Sequence, residues 1–194
     1  MIRLAVQEDA SSILGIYKPF ILTSGITQET EVPLINEFQQ RIMFTQAERP
    51  WLVCELNGEI AGYAYAAKHR ERSGYQWCVE SSVYISEKYF GKKAAFALYT
   101  ALVELLKLQG YINVYAVITL PNDRSTAFHE KFGFTYLFTF KNIGFKLGKW
   151  HDVGWWFLQI NSYPGNPSLP LKFPELNTGT VQQILDTCSS LLRK

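Results

Sequence analysis

Glu80-Ser-Ser-Val-Tyr-Ile-Ser86, followed by the loop Tyr89-Phe-Gly-Lys-Lys-Ala-Ala95, decides the reading of this chain. The first stretch belongs to a long β-branched and aromatic run, Gln76–Ile85, that reads as a strand. The second turns that strand into a helix from about Lys92 to Gln109. Phe96, Tyr99, Leu102, Val103, Leu105 and Leu106 recur there at helical spacing and are expected to face inward, and Gly110 is the stop. Asn113–Leu120 is apolar enough for a buried strand, ended by Pro121-Asn122. Downstream, Ser125–Lys131 reads as a short helix ended by Gly133. The strands Phe134–Phe145 and Val153–Ile160 follow, joined by a Gly/Lys/Trp turn. Upstream, Ile2–Val6 alternates as a strand, and Asp9 is placed to cap a helix from about Ala10 whose end Pro19 should disturb. Pro33 opens a second helix through about Gln46, with Leu34, Ile35, Phe38, Ile42 and Met43 at helical spacing. Trp51–Leu56 and Ile60–Ala67 flank Asn57-Gly58, a pair suited to a type I′ hairpin turn. The order β, α, α, β, β, β, α, β, α, β, β is that of an α/β (α+β) domain, a mixed sheet with helices on both faces. Residues 1–162 form this domain. Residues 163–194 form a tail, first Pro-containing and extended, then a helix over Thr180–Leu192 with Ile184, Leu185, Cys188, Leu191 and Leu192 on one face.

Composition narrows the functional classes. With 194 residues, 47% of them hydrophobic, the chain suits one domain with a core that needs no staples. A net charge of +2, without long runs of like charge, argues against nucleic acid and anionic membrane as partners. Three widely spaced cysteines (Cys54, Cys78, Cys188) make neither a metal-ligand pair nor a disulfide framework, which points to a reducing cytoplasm. No signal-peptide or membrane-spanning run is expected, and no His/Asp/Glu cluster has metal-site spacing.

Several stretches in fixed order carry a family likeness: Pro50-Trp-Leu-Val53, Gly62-Tyr-Ala-Tyr65, Glu80–Ser86, Leu98-Tyr-Thr100, Ala116-Val-Ile118, Leu120-Pro-Asn-Asp123, His129-Glu130, Gly144-Phe-Lys146 and Trp150-His-Asp-Val-Gly154. Across roughly residues 2–160 the chain resembles the GNAT acetyltransferases, and within them the phosphinothricin and methionine sulfoximine N-acetyltransferase group. The resemblance implies a mostly antiparallel twisted sheet, acetyl transfer from acetyl-CoA to the primary amine of a small amino-acid-like substrate, and a homodimer. Gly154-Trp-Trp-Phe157 suits either the core or a dimer surface.

On residues alone, Glu80 is either an ion-paired strand residue or a carboxylate able to take a proton from an ammonium group. The resemblance assigns it as general base. His129 is either structural or a group of near-neutral pKa within reach of a leaving thiolate, and the resemblance favours the latter. The loop after Ile85 corresponds to the family's pyrophosphate cradle of backbone N–H groups and helix N-terminus, formed here by Gly91, Lys92, Lys93, Ala94, Ala95 and Phe96. It departs from the family pattern in two places. Phe90 stands for a basic or amide residue and Lys93 for a glycine, so a positive φ at Lys93 would be strained, with its charge as compensation. Val83, Tyr84 and Ile85 are expected to offer backbone groups to the pantetheine arm. Asn122 is expected to bind the same region or to cap the following helix. Arg72, with Ser73 and Tyr75, is placed by the resemblance against the acidic group of the substrate. Cys78 has no features of a nucleophile, His151 is expected to fix the turn between the last strands through Asp152, and His69 is expected to face solvent. Transfer to another amine, including a peptide N-terminus, and a non-catalytic acyl-CoA-binding role are the competing readings.

Overall fold

The computed structural model describes residues 1–192, so the last two residues of the expected tail lie outside the described residues. Its strands are β1 (Ile2–Leu4), β2 (Trp51–Leu56), β3 (Glu59–Lys68), β4 (Cys78–Ile85), β5 (Asn113–Leu120), β6 (Thr135–Lys146) and β7 (Lys149–Gln159). Its helices are α1 (Ala10–Thr23), α2 (Ile35–Gln46), α3 (Ala94–Gln109), α4 (Asp123–Phe132) and α5 (Thr178–Ser189). One sheet of order β1-β2-β3-β4-β5-β7-β6 runs through the molecule. Every neighbouring pair is antiparallel except β4 and β5. That parallel seam has only three residue pairs, Cys78 with Asn113, Val79 with Val114 and Glu80 with Tyr115. Beyond it β4 stays with β3 as far as Ile85, while β5 stays with β7 as far as Leu120. The sheet therefore splays open immediately after Glu80.

Strand alternation gives the sheet two apolar faces. On one, Ala64, Ala66, Val79, Val114 and Ala116 pack under α3 and α5. On the other, Val53, Tyr63 and Trp51 pack under α1 and α2 with Ile13, Tyr17, Ile21, Phe38 and Ile42. The Asn57-Gly58 turn has φ of 54° and 76°, as a type I′ hairpin requires.

The element order agrees with the sequence reading, and several details differ. Helix α1 runs through Pro19 to Thr23, because Tyr17 and Ile21 are buried on either side of it and their packing outweighs one lost helix hydrogen bond. Asp9 occupies the N-cap position of α1, yet its carboxylate turns back to the Val6 N–H and to both terminal nitrogens of Arg3, at 2.6 and 2.9 Å. In α2 only Phe38 and Ile42 of the five apolar positions are buried. Phe96 of α3 is 45% exposed rather than inward-facing. Strand β7 begins at Lys149, so the turn before it tightens to Leu147-Gly148, both at positive φ (52° and 75°). The tail helix packs on the domain itself: Val181, Leu185 and Cys188 join the α3-side core, with Phe173 and Leu176 from the segment before it. Trp156 is core at 3% exposure, whereas Trp155 stacks on Phe138 of the edge strand β6.

Candidate active site

The splay opens a cleft that runs past Val83, Tyr84 and Ile85 to a loop-to-helix turn, while Glu80 sits in the last rung before the opening and is not among the residues that line the cleft. The apex is fixed by Ser81, whose hydroxyl accepts from the buried Tyr99 phenol of α3 and donates to the Tyr115 carbonyl at 3.2 Å. Strand alternation then puts Glu80 on the opposite face from Ser81. His69 in the β3–β4 connection lies against it, with Nδ1 2.8 Å from Glu80 Oε1. The His69 side chain is only 12% exposed and its ring stacks on Tyr115, so the expectation of a solvent-facing His69 is corrected. The register that pairs Ala67 with Glu80 brings position 69 within reach, and nothing in the loop sequence announces that register.

From the splay, a cleft of about 780 Å³ extends to the N-termini of α3 and α4. Of the residues expected to bind cofactor, Val83, Tyr84, Ile85, Gly91, Lys93, Ala94, Ala95, Phe96 and Asn122 line it, as does His129. Lys92 is exposed beside it. The first bond within α3 runs from the Ala97 N–H to the Lys93 carbonyl, so the N–H groups of Ala94, Ala95 and Phe96 remain unclaimed by the helix. Gly91 has φ of 79° and Lys93, the N-cap, has φ of 61°, so the strain foreseen for a lysine at the glycine position is present. Arg124, in the first turn of α4, also lines the cleft, and its guanidinium lies 4.1 Å from the centre of the Phe90 ring. The residue that replaces a basic group in the loop thus holds another basic group beside the same cleft. Arg124 escaped the sequence reading, because a contact between a loop and a helix thirty-odd positions later leaves no local pattern.

Asn122 Oδ1 accepts the Ser125 N–H at 3.3 Å, so this residue does cap α4 while it borders the cleft. His129 is buried with Nδ1 2.8 Å from the Ser125 carbonyl. A carbonyl only accepts, so Nδ1 carries the proton and the neutral ring keeps a lone pair on Nε2. Burial holds its pKa below the ordinary value, opposed only partly by the Ser125 hydrogen bond. Arg72 and Tyr75 are exposed in the β3–β4 connection, where Ser73–Tyr75 form one 3-10 turn, apart from the cleft. His151 is buried and does brace the last turn, though through the Lys146 carbonyl at 3.1 Å rather than Asp152, which takes Lys141 and the Asn142 N–H. Burial raises the pKa of the Cys78 thiol, against a weaker lowering by Asn113, and pushes Cys54 up to about 11, so neither is a resting thiolate. Among the described residues no group of three or more His, Cys, Asp or Glu side chains could hold a metal ion, and no helix is long and apolar enough to cross a membrane.

A profile described as an acetyltransferase (GNAT) domain matches residues 2–155. The chain belongs to the GNAT acetyltransferase family. This acetyltransferase is 39% identical over 155 residues to the phosphinothricin N-acetyltransferase of Streptomyces viridochromogenes, covering 80% of this chain and 85% of the relative. It is 34% identical over 167 residues to the L-methionine sulfoximine/L-methionine sulfone acetyltransferase of Pseudomonas aeruginosa, covering 84% and 95%. The GNAT phosphinothricin acetyltransferase of Sinorhizobium meliloti, solved in complex with AcCoA, superposes with a TM-score of 0.82 at 30% identity, covering 90% of this acetyltransferase and 96% of that chain.

Proposed function

We propose that this acetyltransferase moves an acetyl group from acetyl-CoA to the primary amine of a small amino-acid-like substrate of the phosphinothricin or methionine sulfoximine type. The observation that carries the reading is the line of the β4–β5 splay, whose last rung holds Glu80 and whose cleft, beyond that rung, runs from Val83 to the open N-terminus of α3. One end of that line suits an amine that must lose a proton, and the other suits a pyrophosphate. The residues fit acetyl-CoA. The unclaimed N–H groups of Ala94–Phe96 and the charges of Lys92, Lys93 and Arg124 meet its phosphates. The unpaired edge of Val83–Ile85 and the Asn122 amide meet its pantetheine arm. Acetyl-CoA supplies the activated acyl group.

In this reading Glu80 accepts the proton of the amine, and a backbone N–H near Val83 donates to the oxygen on which charge develops. His129 serves as proton donor to the leaving sulfur after taking a second proton from solvent at Nε2; it passes that Nε2 proton to the thiolate and returns to the neutral ring, whose Nδ1–H stays on the Ser125 carbonyl. Burial makes its protonated form a stronger acid than an exposed imidazolium. Arg72, Ser73 and Tyr75, outside the cleft but in the same β3–β4 connection as His69, which lies against Glu80, receive the acidic group of the substrate. Attack is direct, since Cys78 is held as a thiol and Ser125, the cleft serine whose Oγ lies 3.3 Å from His129 Nδ1, faces a nitrogen that already carries a proton on the Ser125 carbonyl and so cannot serve as its base. The exposed aromatic edge of Tyr136, Phe138, Phe140, Phe145 and Trp150 supports a homodimer formed with a second copy. The free thiols support a cytoplasmic location.

Calorimetric titration with acetyl-CoA, then thiol release with phosphinothricin and methionine sulfoximine, tests the proposal. Micromolar binding and amine-dependent thiol release, sharply reduced but still measurable in Glu80→Gln, are expected. Absence of binding at millimolar acetyl-CoA would overturn the reading in favour of a non-catalytic domain. Turnover confined to peptide N-termini would overturn the substrate class.

A further inference from the structure

The general base proposed above is not alone. A Glu side chain has three rotatable torsions, and an unsupported carboxylate on a splayed strand presents its lone pairs in many directions. Here one oxygen is claimed. Glu80 Oε1 lies 2.8 Å from His69 Nδ1, with the two side chains 36% and 12% exposed. An ionised carboxylate only accepts, so the shared proton belongs to His69, whose Nδ1–H donates to Glu80 Oε1. The imidazole is itself held. Its ring stacks on Tyr115 with centroids 4.5 Å apart and planes 19° from parallel. Tyr115 is the residue opposite Glu80 in the last rung of the parallel seam, and its own ring leans on Phe157 of β7. Base, imidazole and phenol thus form one unit anchored at the point where the sheet opens.

We propose that His69 is the positioning residue of the catalytic carboxylate: its Nδ1–H occupies Oε1 and leaves Oε2 to take the proton of the incoming amine. The proposal rests on Glu80 being the general base. It assigns to the β3–β4 connection a role beyond holding substrate, because the loop that carries Arg72 also carries the group that aims the base.

Two substitutions separate the hydrogen bond from the packing. His69→Phe keeps a ring on Tyr115 and removes the donor. His69→Asn loses the ring and retains an amide N–H close to where Nδ1 stood. Steady-state kinetics would be measured for both with acetyl-CoA and the best amine found above, beside Glu80→Gln and Glu80→Gln/His69→Phe. A hydrogen bond to a charged group corresponds to about a ten- to hundredfold effect, so kcat should fall by that factor in His69→Phe. The KM for acetyl-CoA should stay unchanged, and His69→Asn should recover most of the rate. His69→Phe should cost nothing further in the Glu80→Gln background, where the base it positions is gone. Full activity in His69→Phe with a damaged His69→Asn would show that the ring only packs, and would overturn the proposal while leaving Glu80 in place. Unchanged kcat in Glu80→Gln would overturn the base and the positioning role together.

Discussion

Lys93 carries two opposed effects. A non-glycine residue at φ of 61° costs about 1–2 kcal/mol relative to ordinary helical geometry, and the family pattern has glycine at this position. The same residue puts an ammonium group on the cleft between Gly91 and the open end of α3. Lys93→Gly should therefore raise unfolding stability by about 1 kcal/mol, less what the freer unfolded chain gains, while weakening acetyl-CoA binding roughly tenfold. Chemical denaturation and calorimetry on one preparation read both, and a variant that gains affinity would refute the charge's role. His129 makes a second prediction. Burial lowers its pKa below 6.5, so in the window beneath that value the unfolded chain takes a proton that the folded chain refuses. Its contribution to stability is complete above about pH 6.5 and is lost as pH falls through the lower folded value. Replacing it with Phe, among the rings of Tyr99, Phe128 and Phe134, should shrink the fall in Tm between pH 7 and pH 5. An equal fall in both proteins would sink this assignment. At this scale the sequence exposed the departures Phe90 and Lys93 but not their partners. A residue's identity is printed at its position, whereas the guanidinium over Phe90 and the imidazole against Glu80 come from chain brought near only by folding.

The elements were legible where periodicity and turn chemistry agree. Asn57-Gly58, the Gly110 and Gly133 stops and the bounds of β2 and β5 follow from local chemistry. They fail where tertiary packing overrides it, as at Pro19 and at Phe96, which faces the cleft instead of the core. The connection between α1 and α2 is bolted to the last hairpin and to β5. Buried Lys146 of β6 donates to the Thr27 carbonyl at 2.7 Å and to the Phe20 carbonyl at 3.3 Å, while Gln28 donates to Thr119 at 3.0 Å. A methyl group on Gly25 would lie 2.4 Å from His151 Cε1, a ring fixed by its bond to the Lys146 carbonyl. Gly25→Ala should thus lower stability by about 1–3 kcal/mol through overpacking. Adding His151→Ala should return part of that loss, making the pair less than additive in a thermal-melt cycle. Strict additivity would show that the contact yields freely.

Across the whole molecule, the tail is structurally continuous with the domain. Gln109 of α3 donates to the carbonyls of Glu48 and Leu171, at 2.8 and 2.7 Å, and the Ser189 hydroxyl accepts the Ile2 N–H at 2.7 Å. Leu185, 3% exposed in the α3-side core, should cost about 2–4 kcal/mol when cut to Ala, measured as a shift of the single unfolding transition. A separate early transition with the rest unchanged would instead mark the tail as an independent unit. The apolar stripe of α5 was readable, but its docking on β1 and α3 joins opposite ends of the chain, and no window of sequence spans that distance. The three-rung seam has a consequence of a mechanical kind. The sheet is two stiff plates, β1–β4 and β5–β7, sharing a short hinge. A rocking of the plates through a small angle would widen or narrow the wedge between them without breaking a rung in either. Amides along the inner margins of Ser81–Ile85 and Ala116–Leu120 should exchange with deuterium faster than those of the same strands' outer margins. A molecule laid into the wedge should slow them and, acting as the missing strand, lock the hinge.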